Sequence, residues 1–336
     1  MAKIAINGFG RIGRLFFRDA FGQPDFDIVA VNDLTDTKTL SYLLKYDSVY
    51  GRYNKNVESG DGYFSVDGKK VQVFAEKEPS ALPWGKLGVD VVVESTGFFT
   101  EGEKAKAHLD AGAKRVVISA PAKGDVATVL VGVNDNLFGK TGPITCNASC
   151  TTNSVAPVLA ILDEAFGIVK AGMSTTHGYT ATQKLVDAPD SKDLRRGRAA
   201  AINIVPSTTG AAEAVIQSMP HLLNKFDAVS LRVPVIAGSI SVITALLKKK
   251  TTLEELNKSL EMGASSPRFM KSVKASHEPL VSTDIVGEPY GAIIDLGMTK
   301  VMDGDFVQVL SWYDNEAGYT STLVEHVKRI GELLGK

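Results

Sequence analysis

The segment Asn7-Gly8-Phe9-Gly10-Arg11-Ile12-Gly13 constrains this chain more than any other, because three glycines at fixed spacing join an apolar run to a helical pattern. Lys3 to Ile6 reads as a short strand, and Gly10 to Ala20 carries apolar residues at helical spacing. Glycines so placed let the backbone turn sharply and approach a pyrophosphate at the positive end of a helix. A second strand, Asp27 to Val31, leads to Asp33, where a carboxylate can accept hydrogen bonds from a ribose diol. Gly8, Gly10, Gly13 and Asp33 therefore predict a dinucleotide site. A carboxylate there would repel a 2′-phosphate by a few kcal/mol at an intermediate dielectric, so NAD is expected rather than NADP. The plainer reading of Asp33 is a helix cap.

The rest of the first half continues the alternation. Val89 to Val93, Arg115 to Ser119 and Thr128 to Val133 read as β-branched strands, and Glu101 to Ala111 as a helix, which suits a parallel sheet covered on both faces. Tyr63 to Val66 and Lys69 to Phe74, joined by Asp67-Gly68, predict an inserted hairpin. After Cys150 the texture changes. Ser239 to Thr244 alternates polar and apolar residues, and Ala292 to Val301 and Phe306 to Tyr313 flank an Asp303-Gly304 turn. Thr252 to Glu255 reads as a capping box. The expected fold is α/β: a Rossmann-type dinucleotide-binding domain over residues 1–149, then an α+β catalytic domain with an antiparallel sheet over 150–313. An amphipathic C-terminal helix within 314–336 is expected to return to the first domain.

Composition narrows the function. At 336 residues the chain exceeds one ordinary core. Lys and Arg number 37 against 38 Asp and Glu, so no global field draws in nucleic acid, and anions must be held by local groups. Val233 to Leu247 is too short to span a bilayer, and Met1 to Ile6 carries no apolar signal core, so a cytoplasmic protein is expected. Two cysteines, Cys146 and Cys150, are too few for a disulfide scaffold and too isolated for a zinc site; no metal is expected.

Cys150 stands just before the helical pattern Val155 to Phe166, where the helix dipole is expected to stabilise a thiolate. Cys146 is expected to be a small buried apolar residue. Of five histidines, His177 ends a strand-like run and is the candidate base; His108, His221, His277 and His326 are expected at the surface. Ser149 and Thr151 flank the cysteine, Thr209 and Gly210 open a helix, and Thr180 and Arg232 complete a set able to hold anions. Arg232 interrupts an apolar strand, so it needs a partner, which a bound phosphate could supply.

These residues resemble the phosphorylating glyceraldehyde-3-phosphate dehydrogenase family over essentially the whole length. The resemblance is carried by Ile6 to Arg14, Glu94-Ser95-Thr96-Gly97, Ser119-Ala120-Pro121, Ala148 to Asn153, His177, Thr209 to Ala212, Arg232-Val233-Pro234 and Trp312 to Glu316. It implies that Cys150 attacks the aldehyde of glyceraldehyde 3-phosphate, that His177 acts as base, and that inorganic phosphate releases 1,3-bisphosphoglycerate from a thioester. It further implies that Thr180 and Arg232, with Arg198, hold the substrate phosphate, and that Ser149, Thr151, Thr209 and Gly210 cradle the attacking phosphate. Arg11, Ile12, Asp33, Lys77 and Ser119 would contact the cofactor's adenosine and pyrophosphate side, and Asn315 its nicotinamide amide. Arg195, Arg196 and Arg198 read equally well as interface ion pairs. A homotetramer is implied, with the loop from Thr180 to Ala200 reaching a neighbour's cofactor; Pro189 there agrees with NAD. The rival substrate is a related phosphorylated aldehyde such as erythrose 4-phosphate. Departures from the family pattern are Ser154, Glu213, Ala317 and the stretch Val235 to Ser239.

Overall fold

Apolar strands alternating with helices build the first half into one sheet, as the computed structural model shows for residues 1–191 and 193–335. Lys192, inside the 180–200 loop, and Lys336, at the C-terminus, lie outside the described residues. The chain divides into two units: residues 1–130, 135–148 and 323–336 form one, and residues 131–134 and 149–322 the other.

In the first unit β1 (Ala2–Asn7), α1 (Arg11–Ala20), β2 (Phe26–Asn32) and α2 (Thr37–Lys45) open the fold. Three short strands follow, β3 (Val57–Gly60), β4 (Tyr63–Val66) and β5 (Lys69–Phe74). After α3 (Trp84–Leu87) come β6 (Val91–Glu94), α4 (Gly102–Ala105), α5 (Ala107–Asp110), β7 (Arg115–Ile118), β8 (Ala127–Thr128) and β9 (Ile144–Cys146). The sheet runs β3-β4-β5-β2-β1-β6-β7-β9-β8, parallel except where β3, β4 and β5 pair antiparallel. The predicted hairpin turn is present, with Asp67 and Gly68 both at positive φ, the conformation that a tight two-residue turn demands. Phe64 of the hairpin packs on Phe9 and Phe17, with ring centroids 5.6 and 5.5 Å away, anchoring it beside the glycine loop.

Two expectations fail here. The helix expected over Glu101 to Ala111 is two short pieces that break at Lys106. The strand expected over Thr128 to Val133 is only Ala127–Thr128: Val129, Leu130 and Val131 are buried, but Gly132 turns the chain at φ +83° before a ladder forms. Burial satisfies β-branched residues without pairing, which is why hydropathy alone misplaced the strand.

The second unit carries α6 (Cys150–Phe166), β10 (Ile168–Gly178), β11 (Val205–Ser207), α7 (Ala211–Ser218), β12 (Phe226–Val233), β13 (Ser239–Leu247), α8 (Leu253–Ala264), β14 (Val273–Ser276), β15 (Ala292–Met302), β16 (Phe306–Tyr313) and the start of α9 (Ala317–Glu332). Its sheet, β11-β12-β10-β13-β16-β15-β14, is largely antiparallel, with parallel pairs at β10–β12 and β14–β15. The capping box closes: Thr252 Oγ1 accepts from Glu255 N (3.2 Å) and Glu255 Oε2 from Thr252 N (3.1 Å), a device worth about 1 kcal/mol.

Residues of α9 from Leu323 onward belong to the first unit, where Lys328 pairs with Asp25 (2.7 Å) and Arg329 with Asp135 (2.7 Å). His326, expected at the surface, is fully buried there, with Nε2 2.9 Å from Thr145 Oγ1, and burial pushes its pKa down to about 3. Among the described residues, no helix is long and apolar enough to cross a membrane.

Candidate active site

The glycine loop has the geometry that its residues predict. Gly8 sits at φ +91°, and a Cβ there would lie 2.7 Å from the backbone of Ser95 and Thr96. A Cβ on Gly13 would meet the Gly8 carbonyl at 2.1 Å, so the first turn of α1 approaches the loop after β1 only because residue 13 is glycine. Gly10 differs: it caps α1 without a side-chain oxygen, is exposed, and a Cβ there would enter open space. That combination leaves a cradle over the first turn of α1 suited to a diphosphate.

Beside it lies a cavity of about 490 Å³ lined by Asn7, Gly8, Gly10, Asp33, Lys77 and Thr96, among others. Asp33 is half-buried; its Oδ2 accepts from Phe9 N (2.8 Å) and its Oδ1 from Thr35 N (3.0 Å). It thus braces the glycine loop, and each carboxylate oxygen has a second lone pair for a ribose hydroxyl. The Arg11 side chain is paired with Asp47 (2.5 Å) and lies over the Tyr50 ring, and neither Arg11 nor Ile12 is among the residues lining the cavity. Ser119 follows β7 and donates its N–H to the Glu94 carbonyl (2.9 Å); it is not among the residues lining the cavity.

In the second unit the thiol and imidazole meet. Ser149 caps α6, its Oγ accepting from Thr152 N at 3.1 Å, which places Cys150 as the first helical residue. Cys150 Sγ lies 3.3 Å from His177 Nε2. Arg232 is beside His177 because β10 and β12 run parallel with those residues in register. Its Nη1 is 2.6 Å from His177 Nδ1 and donates to the Gly178 carbonyl (3.1 Å), which itself lies 2.6 Å from Nδ1. A guanidinium N–H only donates, so Arg232 and the Gly178 carbonyl make opposite demands on Nδ1. A proton on Nδ1 bonded to the carbonyl leaves Nε2 bare toward the sulfur, which is the form a base requires; a bare Nδ1 accepting from Arg232 puts the proton on Nε2.

Burial is the largest influence on the thiol and pushes it up, against the expectation that the helix end alone would lower it. Arg232 and hydrogen bonds from Thr151 work in the opposite direction. Burial, with Arg232 second, holds His177 down at about 3. A lone thiolate or a lone imidazolium is thus disfavoured. Moving one proton across the 3.3 Å gap makes both charges together, with no net charge created, so each group depends on the other for its ionised form.

One neighbour has a role that the sequence did not expose. Tyr313, fully buried, stands edge-on to His177 with ring centroids 5.9 Å apart, and its hydroxyl joins Thr151 Oγ1 (3.0 Å) to Thr175 Oγ1 (2.7 Å). The Thr151 hydroxyl is consequently turned inward rather than toward a solvent-side anion. The inward alternation of β16 was the available signal for Tyr313.

Arg198, expected near the substrate phosphate, is exposed and paired with Asp187 (2.8 Å) within its own loop. Arg196 instead donates to Ser207 Oγ (3.0 and 2.7 Å), and its charge is felt at Arg232, so these two guanidiniums share one region. Thr209 Oγ1 accepts from Ala211 N (3.2 Å), and Gly210 caps α7 with open space beside it. Thr180 follows β10 and its hydroxyl lies 2.9 Å from that of Thr182. Asn315 Oδ1 accepts from Gly238 N (3.2 Å) and Ser239 Oγ (3.1 Å), which leaves its NH₂ to act as a donor. Cys146 is buried as expected, 3.3 Å from Thr128 Oγ1.

A glycine-rich dinucleotide cradle in one unit and a thiol–imidazole pair in the other are the parts of a dinucleotide-dependent oxidoreductase. Residues 2–102 match the NAD binding domain of glyceraldehyde 3-phosphate dehydrogenase, and residues 149–315 match its C-terminal domain. The chain is 50% identical to glyceraldehyde-3-phosphate dehydrogenase of Clostridium acetobutylicum, over 96% of this chain and 97% of that one. It is 48% identical to the Clostridium pasteurianum protein of that name and 49% identical to the Mycobacterium avium one, with 99% of each chain covered. The chain belongs to the glyceraldehyde 3-phosphate dehydrogenase family and is an NAD-dependent oxidoreductase.

Proposed function

We propose that this chain oxidises glyceraldehyde 3-phosphate with NAD and inorganic phosphate to give 1,3-bisphosphoglycerate. The observation that carries the reading is Cys150 Sγ at 3.3 Å from His177 Nε2 with Arg232 in register beside it. His177 takes the thiol proton as Cys150 Sγ adds to the aldehyde carbon and passes it to the former carbonyl oxygen, giving a thiohemiacetal. It then accepts the hydroxyl proton as the adduct loses hydride, and a thioester on Cys150 remains. NAD, when bound, supplies the hydride acceptor. The Cys150 N–H at the start of α6 and His177 steady the oxyanion. Inorganic phosphate attacks the thioester carbon, the bond from that carbon to Cys150 Sγ breaks, the sulfur takes the proton held by His177, and the proton of the attacking hydrogen phosphate passes to His177 and then to solvent.

Arg232 and Thr180 hold the substrate phosphate, with Arg196 rather than Arg198 as the second guanidinium. Ser149, Thr209 and Gly210 receive the attacking phosphate, and Thr151 acts by supporting the thiolate. Asn315 donates its NH₂ to the nicotinamide carboxamide. Reduction of NAD with glyceraldehyde 3-phosphate and erythrose 4-phosphate, each with and without inorganic phosphate, tests the reading. Turnover should require phosphate and favour the triose; phosphate-independent turnover or faster use of erythrose 4-phosphate overturns it.

Asp33 sets cofactor choice in this reading. Asp33→Ala should weaken NAD binding and narrow the preference over NADP by about tenfold or more, a few kcal/mol of repulsion having been removed. Unchanged kcat/KM ratios for the two cofactors contradict the role.

The working form is a cytoplasmic homotetramer. Leu185, Val186, Leu194, Ile202 and Ile204 are each at least 68% exposed. A cluster of large apolar side chains in so short a stretch calls for a partner surface. Sedimentation should give a particle of four chains; a monomer at working concentration contradicts it.

A further inference from the structure

Glu94 ends β6 with its side chain fully buried, and its bonded neighbours Asn7 and Thr96 line the dinucleotide cavity. All four groups bonded to its carboxylate are donors. Asn7 Nδ2 (2.6 Å) and His108 Nε2 (3.0 Å) reach Oε2; Thr96 N (2.8 Å) and the Thr96 hydroxyl reach Oε1. The sense of the histidine bond is set from behind. An indole N–H can only donate, and Trp84 Nε1 lies 3.1 Å from His108 Nδ1, so the ring proton sits on Nε2 and points at Glu94. His108, expected at the surface, is instead part of this buried network.

The network continues to the pocket rim. Asn7 Oδ1 accepts from Asn32 Nδ2 (2.7 Å), and Asn32 accepts from Glu76 N (2.8 Å) while donating to the Glu76 carbonyl (2.9 Å). Three of the donors cannot reverse: the Trp84 indole and the backbone N–H groups of Glu76 and Thr96. If Asn32 turned its amide over, its NH₂ would face the Glu76 N–H; if Asn7 did so, two NH₂ groups would collide. Every bond except that of the Thr96 hydroxyl therefore has one permitted direction, and the centre must accept on both oxygens, from Thr96 N on one and from Asn7 and His108 on the other.

We infer that Glu94 is a positioning residue for cofactor binding: as an acceptor on both oxygens it fixes the Asn7 and Asn32 amides and Thr96, which wall the dinucleotide cavity and hold the segments bearing Asp33 and Lys77. The inference rests on the reading of that cavity as the NAD site. A glutamine at 94 sets its NH₂ against Thr96 N–H on one side or against Asn7 and His108 on the other. An aspartate at position 7 relieves this. The glutamine NH₂ would donate to it, Asn32 would still donate to its other oxygen, and His108 Nε2, 3.4 Å from Asn7 Nδ2 here, would gain an acceptor.

The test is a double-mutant cycle read by NAD dissociation constant and by steady-state kinetics. Glu94→Gln and Asn7→Asp should each raise the NAD Kd and KM about tenfold, leaving kcat at saturating NAD within about twofold. The double variant Asn7→Asp/Glu94→Gln should bind NAD more tightly than either single variant. Equal binding by the parent and Glu94→Gln, or losses that add in the double variant, overturn the inference. If the single variants do not fold, a folded double variant that binds NAD supports it, and failure of the double variant to fold overturns it. Failure of the parent to bind NAD removes the cofactor-site reading itself, whatever Glu94 does.

Discussion

Cys150→Ser is expected to lower phosphate-dependent NAD reduction by at least about 10³-fold while leaving the NAD dissociation constant within about twofold. The sulfur has His177 in reach and a helix start behind it, and a serine hydroxyl remains protonated where the thiol can pass its proton to imidazole. The substitution is nearly isosteric, and the Ser149 cap does not depend on the side chain at 150. The dinucleotide cavity is lined by residues of the first unit, and Asn315, proposed for the nicotinamide, is held by Gly238 and Ser239 rather than by Cys150, so cofactor binding should change little. NADH absorbance gives the first quantity and calorimetry the second. Full activity in this variant would show that another group carries the acyl intermediate.

His177→Asn is expected to reduce kcat by about 10²- to 10⁴-fold, the usual worth of a positioned base. It also has a pH signature. With imidazole present, Cys150 loses its proton to a partner 3.3 Å away and the pair stays net neutral. With asparagine, the thiolate must stand alone where burial pushes the thiol up, helped by Arg232, Thr151 and its own backbone N–H. The rate of Cys150 alkylation should therefore rise with pH at a higher midpoint in the variant than in the parent. At neutral pH the variant should react roughly ten- to a hundred-fold more slowly, one to two pH units of displacement. A variant profile at equal or lower pH contradicts the mutual dependence of the two groups.

The sequence is most informative where local geometry leaves few choices. Gly8 and Gly13 are placed by contacts that admit no Cβ, and Asp67-Gly68 and Asp303-Gly304 by positive φ at tight turns; such requirements are written in residue identity. Cys150 at a helix start and His177 at a strand end followed in the same way from chain position. What hydropathy could not convey was which polar groups go inside. His108 and His326 are polar residues in helical sequence, and only the tertiary partners Glu94, Trp84 and Thr145 make their burial possible. Three arginines within four positions look alike in the sequence; the loop turn that pairs Arg198 with Asp187 and sends Arg196 to Ser207 depends on folding of the whole segment. The sign of the burial effect on the thiol was hidden for the same reason. A helix terminus is local, but desolvation depends on everything packed around the sulfur.

The central claim is that an acyl group resides on Cys150 between oxidation and phosphate attack. Mixing the protein with glyceraldehyde 3-phosphate and NAD in the absence of phosphate, followed by acid quench and peptide mass analysis, tests it directly. A burst of about one NADH per chain, with the phosphoglyceroyl adduct on the peptide containing Cys150 and its release on adding phosphate, is the predicted result. No burst, or an adduct on a peptide without Cys150, contradicts it.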